Sequence, residues 1–241
     1  ITGTLAEVVA SYAADAAGAT TNLDGDEAVT ISDTGVIDAA NVNTLNTETS
    51  GVVTLSSGVT GLTGTAAAVT AAFTANAAGE VTGLALSGGV AQSITATVTD
   101  ASVPAETLEA IDGQTTGLVT VTGAAIEGNF TDVKAVLDAN AATPATIAGL
   151  DAINVTLDAS NAVAGHVATA TYTVANINTI IGLTTGTVTA TATEVEINTL
   201  LTIAESGHNI ICNVDTIGGA DSYTAASLIT LNALTNGLIT A

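Results

Sequence analysis

Val42-Asn43-Thr44-Leu45, followed by Gly51-Val52-Val53-Thr54-Leu55, is the stretch on which the reading of the fold turns. An apolar residue is followed three positions on by another, a Gly stands nine residues after the first, and a β-branched, Thr-containing run follows. The phrase recurs with changed spelling. Leu108 and Ile111 lead to Gly117 and Val119-Thr120-Val121, and Ile177-Asn178-Thr179-Ile180 leads to Gly186 and Val188. Ile197-Asn198-Thr199-Leu200 leads to Gly207, and Leu228 with Leu231 leads to Gly237 and Ile239. Looser copies run from Val8 to Gly18, from Val69 and Phe73 to Gly79, and through Val133 with Val136-Leu137. About eight copies at uneven intervals, on the order of 20 to 45 residues with a mean of roughly 31, fall in the range of repeat arrays.

Each copy reads as two elements. The first is a short helical segment with apolar residues at i and i+3 or i+4, a single narrow stripe, as in Asp38-Ala39-Ala40-Asn41-Val42-Asn43-Thr44-Leu45. Pro104 suits the start of the segment ending at Ile111, because its missing N–H costs nothing in a first helical turn. Asn129 or Thr131 can cap the stretch Thr131 to Asn140. The second element alternates with period two, aliphatic inward and Thr outward. Thr187-Val188-Thr189-Ala190-Thr191-Ala192 is nearly perfect, and Val167-Ala168-Thr169-Ala170-Thr171-Tyr172, Ala28-Val29-Thr30-Ile31-Ser32 and Val119-Thr120-Val121-Thr122 follow it. Thr95-Ala96-Thr97-Val98-Thr99 and Ile153-Asn154-Val155-Thr156-Leu157 are additional strands in the longer intervals. The Gly between the elements is expected to supply a positive φ at the helix C-terminus.

A helical crossover between successive strands makes them parallel. The expected fold is therefore an α/β repeat solenoid, parallel strands alternating with short helical turns in about eight irregular coils of roughly 31 residues. No linker or composition shift divides the chain, so residues 1–241 read as a single elongated repeat domain. The ends are nearly in phase and show no polar capping repeat. This suggests a section of a longer array, or a subunit stacking head to tail on copies of itself through Ile1, Leu5 and Val8 at one end and Leu238 and Ile239 at the other.

Composition narrows the function. Apolar residues make up 47% of the chain but aromatics only 2%, so Ala, Val, Leu, Ile, Thr and Gly must fill thin, similar layers. Lys134 is the sole cation against 23 carboxylates, a net charge of −22. Salt bridges can contribute almost nothing, and the carboxylates repel one another unless salt screens them or cations bind. A nucleic-acid partner is excluded, since phosphate binding requires Lys and Arg. No apolar run approaches the roughly 18 residues of a membrane span, so membrane insertion is not expected. Ile1-Thr2-Gly3-Thr4 has neither the basic start nor the long apolar stretch of a signal peptide. Cys212, the lone cysteine in Ile210-Ile211-Cys212-Asn213-Val214, reads as a small buried hydrophobe.

Catalytic chemistry finds little footing. His166 and His208 are the only histidines, neither in a metal-ligand spacing, and there is no Arg to clamp an anionic substrate. The nucleophile-elbow, phosphate-loop and zinc-helix motifs are absent. No enzyme is expected. Asp33, Asp100, Asp158 and Asp215 each follow directly on a strand, and stacked strands would let some of them share a hard cation such as Ca²⁺. Asp24, Asp26 and Glu27 in Asn22-Leu23-Asp24-Gly25-Asp26-Glu27 form a denser acidic loop, half of a calcium loop in spelling. The competing reading is that Asp at these places caps a helical turn or makes an Asx-turn.

The phrases Asn43-Thr44-Leu45 to Thr49-Ser50-Gly51-Val52-Val53, Glu27-Ala28-Val29-Thr30-Ile31-Ser32-Asp33-Thr34 and Leu62-Thr63-Gly64-Thr65-Ala66-Ala67-Ala68-Val69-Thr70 resemble repeats of giant extracellular cell-surface proteins of marine cyanobacteria. These include the giant surface protein associated with swimming and related adhesin-like repeat proteins. The resemblance implies a secreted, cation-tolerant structural or adhesive role with no catalytic residues to carry over. The expected function is thus a non-enzymatic structural component of an extracellular filament or cell-surface layer. A calcium-dependent adhesion or glycan-binding module is the alternative.

Overall fold

The structure, a computed structural model, describes residues 1–19, 23–84, 93–158, 171–215 and 223–241. The chain forms two compact units, one of Ile1–Asp100, Ala110–Thr122 and Thr146–Ala148, the other of Ala101–Glu109, Gly123–Ala145 and Gly149–Ala241.

The first unit holds two sheets. One has the order β1 (Thr2–Gly3), β2 (Val29–Ile31), β4 (Val53–Leu55), β6 (Val81–Thr82). The other runs β11 (Ile147–Ala148), β9 (Val119–Val121), β7 (Thr95–Val98), β5 (Val59–Gly64), β3 (Gly35–Asp38). Helices α1 (Leu5–Ala16), α2 (Ala39–Glu48) and α3 (Ala66–Ala78) belong with them. The second unit holds one sheet in the order β15 (Ile239–Thr240), β14 (Asn209–Asn213), β13 (Val188–Thr191), β12 (Asn154–Leu157), β10 (Ala125–Gly128), β8 (Ser102–Pro104). With it go α5 (Phe130–Ala141), α6 (Val174–Ile181), α7 (Ile197–Leu200) and α8 (Ala225–Leu234), while α4 (Ala105–Asp112) is divided between the units.

This overturns the expected solenoid of about eight coils. The chain is an α/β fold with three parallel sheets and, among the described residues, eight helices. The physical reason lies in strands that the repeat phrase does not contain. After β2 the chain forms β3 and only then α2, and β5, β8 and β10 likewise stand directly before α3, α4 and α5. Consecutive strands β2 and β3 enter different sheets, so one phrase does not equal one rung of a single stack.

The alternation does set the faces. Val29, Val53 and Val81 are neighbours in register and fully buried, while Thr30, Thr54 and Thr82 form the adjoining outward row. In the third sheet, Val103, Ile126, Val155 and Val188 line up in the same way, all buried. Each such side chain contributes about 1.5–3 kcal/mol when buried. The only ion pair among the described residues, Lys134 to Asp138 on the exposed face of α5, contributes about 0.3–0.5 kcal/mol. Aliphatic burial decides stability here, not charge pairing. Helix starts follow their capping residues. Thr4 with Glu7 closes a capping box on α1, Asp38 caps α2, Thr65 caps α3 and Asn129 caps α5. Among the described residues no helix is long and apolar enough to cross a membrane.

Candidate functional site

The most regular local chemistry lies at the Gly of the repeat phrase. Gly51, Gly117, Gly186 and Gly237 do not have the positive φ expected of them. They are small because another backbone passes too close. A Cβ at these positions would stand 2.3, 2.3, 2.0 and 2.2 Å from the carbonyl oxygens of Glu27, Ile94, Ile153 and Ile210, respectively. Two residues before each Gly is a buried threonine: Thr49, Thr115, Thr184 and Thr235. Each hydroxyl donates to that same carbonyl, at 2.7, 2.5, 2.7 and 2.7 Å, and accepts from the N–H of its Gly at 2.9–3.0 Å. Thr-x-Gly is thus a clasp that ties the end of one helical segment to the strand beside it. Its signal was legible as T-x-G in four copies. Gly18, Gly79 and Gly207, in the other copies, do adopt positive φ at 72°, 81° and 98°.

Within neither unit do the strand-following aspartates share a strand or neighbouring strands. Asp33 and Asp100 follow strands of two different sheets of the first unit, and Asp158 and Asp215 follow β12 and β14, which β13 separates. Asp33 accepts the first N–H of α1, from Leu5, at 2.6 Å, and Asp100 accepts that of α3, from Ala66, at 2.6 Å. Glu194 does the same for Val174 at the start of α6, at 2.9 Å. These carboxylates cap a helix that precedes them in sequence, a placement only the fold creates. Asp158 is buried, with its backbone carbonyl accepting the Tyr172 hydroxyl, and Asp215 is exposed. Asp100→Ala is expected to cost about 1 kcal/mol through loss of the cap, read as a lower urea midpoint with or without added Ca²⁺.

Asp24, Asp26 and Glu27 do meet, with one oxygen of each within 4.8 Å of the others. Glu27 accepts from the Asp24 N–H at 2.7 Å, the Gly25 N–H at 3.2 Å and the Tyr12 hydroxyl at 3.1 Å. Desolvation raises the Glu27 pKa, but hydrogen bonds from the backbone at Glu27 and Asp24 and from the Tyr12 hydroxyl outweigh it and hold the carboxyl below its ordinary value. Asp24 is pushed up, first by sharing a hydrogen bond with Asp26 and then by its charge. Three carboxylates could hold a hard cation, although Ca²⁺ takes about 6–8 oxygens. The Gly25 carbonyl is already accepting from Ser50.

His166 and most of the strand expected over Val167 to Tyr172 lie outside the described residues. His208 is 7% exposed, with Nδ1 accepting the Val188 N–H at 3.1 Å. Cys212 is fully buried, and burial pushes its thiol up to about 11, so it is inert as a nucleophile. A cleft of about 430 Å³ in the second unit is lined by Asp151, Gly182, Leu183, Thr185 and Glu205 among others, and the Asp151 carboxylate accepts from Asn140 at 2.7 Å. Of the residues expected at the assembly ends, Leu5 and Val8 are buried within the chain. Ile1 is 38% and Leu238 68% exposed, and Ile239 is half-buried on β15.

No family model matches the chain, and neither a curated protein nor a solved structure is significantly similar to it. Its chemistry therefore rests on its own residues.

Proposed function

We propose that this protein is a non-enzymatic structural component of an extracellular filament or cell-surface layer, assembling with further copies of itself. The observation that carries this reading is the margin of the third sheet. Its last strand, β15, has β14 on one side and, among the described residues, no strand on the other. Leu238, which directly precedes it, is 68% exposed, and Ile229 on α8 is 72% exposed. An edge strand entered through an exposed apolar residue is a template for pairing with another chain. The surface charge fits saline surroundings, and the resemblance to cyanobacterial surface-protein repeats points the same way. A net charge of −22 opposes association, so assembly should strengthen with salt up to physiological ionic strength and beyond.

Sedimentation and electron microscopy of the purified chain across protein and salt concentrations test the reading. Ordered oligomers or fibres that persist in chelator, and that Leu238→Glu with Ile229→Lys abolishes, are the expected result. A monomer under every condition overturns it. The calcium-dependent adhesion reading is favoured by one observation, the meeting of Asp24, Asp26 and Glu27. In that case chelator dissolves the assembly and Asp26→Asn weakens it.

A further inference from the structure

His208 joins three segments of the second unit. Its ring Nδ1 accepts the N–H of Val188, the first residue of β13, at 3.1 Å. Its backbone carbonyl accepts the Asn236 N–H at 2.8 Å, in the turn leading to β15. The residue itself leads directly into β14 and makes a parallel bridge to Thr235.

From this geometry we infer that His208 is a proton-operated latch, closed when its imidazole is neutral and released when a proton reaches Nδ1. An Nδ1 that accepts a hydrogen bond carries no proton, so the neutral ring has its proton on Nε2. Nε2 is buried and, among the described residues, has no hydrogen-bond partner. Adding a proton at Nδ1 would set two donors against each other at Val188 and leave a cation whose far N–H lacks an acceptor. Relief requires the ring to leave its place, and the Val188 tie goes with it. Among the described residues, the helices and strands packed here supply no compensating charge. β13, β15, α7, α8 and the turn Thr235-Asn236-Gly237 carry no ionisable side chain. Among the described residues, Glu205, three residues upstream, is the charged group that bears on the ring. Burial pushes the His208 pKa below its ordinary 6.5, and the Glu205 carboxylate opposes that only in part.

The sign follows from proton linkage. The open state binds a proton at the ordinary value, and the closed state binds it only at lower pH. Closure is therefore at full strength above about pH 6.5 and weakens as pH falls, by about tenfold in the open-to-closed ratio per pH unit until the folded ring itself titrates.

Amide exchange and imidazole nitrogen spectra test the latch in a His166→Gln background, which leaves His208 as the sole histidine. At pH 8 the ring should show the Nε2–H tautomer. Between pH 6.5 and 5, the Val188 protection factor, corrected for intrinsic exchange, should fall about tenfold per unit, while Val53 and Val119 in the first unit hold steady. His208→Asn places an amide oxygen where Nδ1 stood and cannot titrate, so its Val188 protection should be flat over that range. An Nδ1–H tautomer, a pH-independent Val188 in the parent, the same slope in His208→Asn, or an equal fall at Val53 and Val119 would each overturn the proposal.

Discussion

Gly186→Ala should lower the unfolding free energy of the second unit by about 3 kcal/mol, the upper end of ordinary overpacking. The added Cβ would stand 2.0 Å from the Ile153 carbonyl oxygen and 2.4 Å from its carbon, both backbone atoms that no side-chain rotation can move. The only escape is to push β13 off β12. That strains the Val155 N–H to Thr187 carbonyl bond, 2.9 Å long, and the Thr184 hydroxyl contact with Ile153. Gly182→Ala is the control, four residues away. Its φ is −73°, and its Cβ would meet nothing closer than 3.6 Å. It should be neutral or stabilise by about 0.4–1 kcal/mol, because the unfolded chain loses freedom. Equilibrium urea unfolding of the two variants gives the comparison directly. Equal midpoints would mean that the close approach at Gly186 is not what selects glycine there.

Thr235→Val is the second large effect, a loss of about 2–3 kcal/mol from a change that keeps the shape. The Thr235 hydroxyl accepts the Ile210 N–H at 2.8 Å and the Gly237 N–H at 2.9 Å, and donates to the Ile210 carbonyl at 2.7 Å. Valine removes all three bonds at a site 4% exposed, where water cannot replace them. Thr235→Ser retains the hydroxyl and should recover more than half of the loss. Thermal melts of the Val and Ser variants separate the two contributions. If Val melts with the parent while Ser is destabilised, methyl packing rather than the clasp holds this site.

The two variants show where sequence reading was sufficient and where it was not. The phrase from Ile177 to Val188 contains the helix, the glycine and the strand in the right order, and the structure has α6, Gly186 and β13 in those places. Alternation placed Val188 and Ala190 inward without any knowledge of neighbours. Yet the reason for glycine was misassigned, because φ is a local property and close approach is not. Nothing in residues 177 to 191 says that the Ile153 carbonyl will arrive beside Gly186. The carboxylates carry the same lesson. Asp24, Asp26 and Glu27 meet because they are neighbours in sequence, whereas Asp33 and Asp100 went to helix starts 28 and 34 residues behind them. The short strands β3, β8 and β10 were missed, since three or four residues without strong alternation hold no local signal and gain their strand geometry from the sheets that accept them.

What this sequence determined alone is everything with a short period: helical stripes, alternating strands, parallel pairing through crossovers, and an interior of small aliphatic groups that needs no ion pairs. The tertiary structure alone decided which strands share a sheet, why four glycines admit no side chain, and that His208 is held in its neutral form against Val188. The physical reason is range. Periodicity acts through residues a few positions apart, but a carbonyl, a helix N-terminus or an imidazole finds its partner only after segments twenty or more residues apart have been packed side by side.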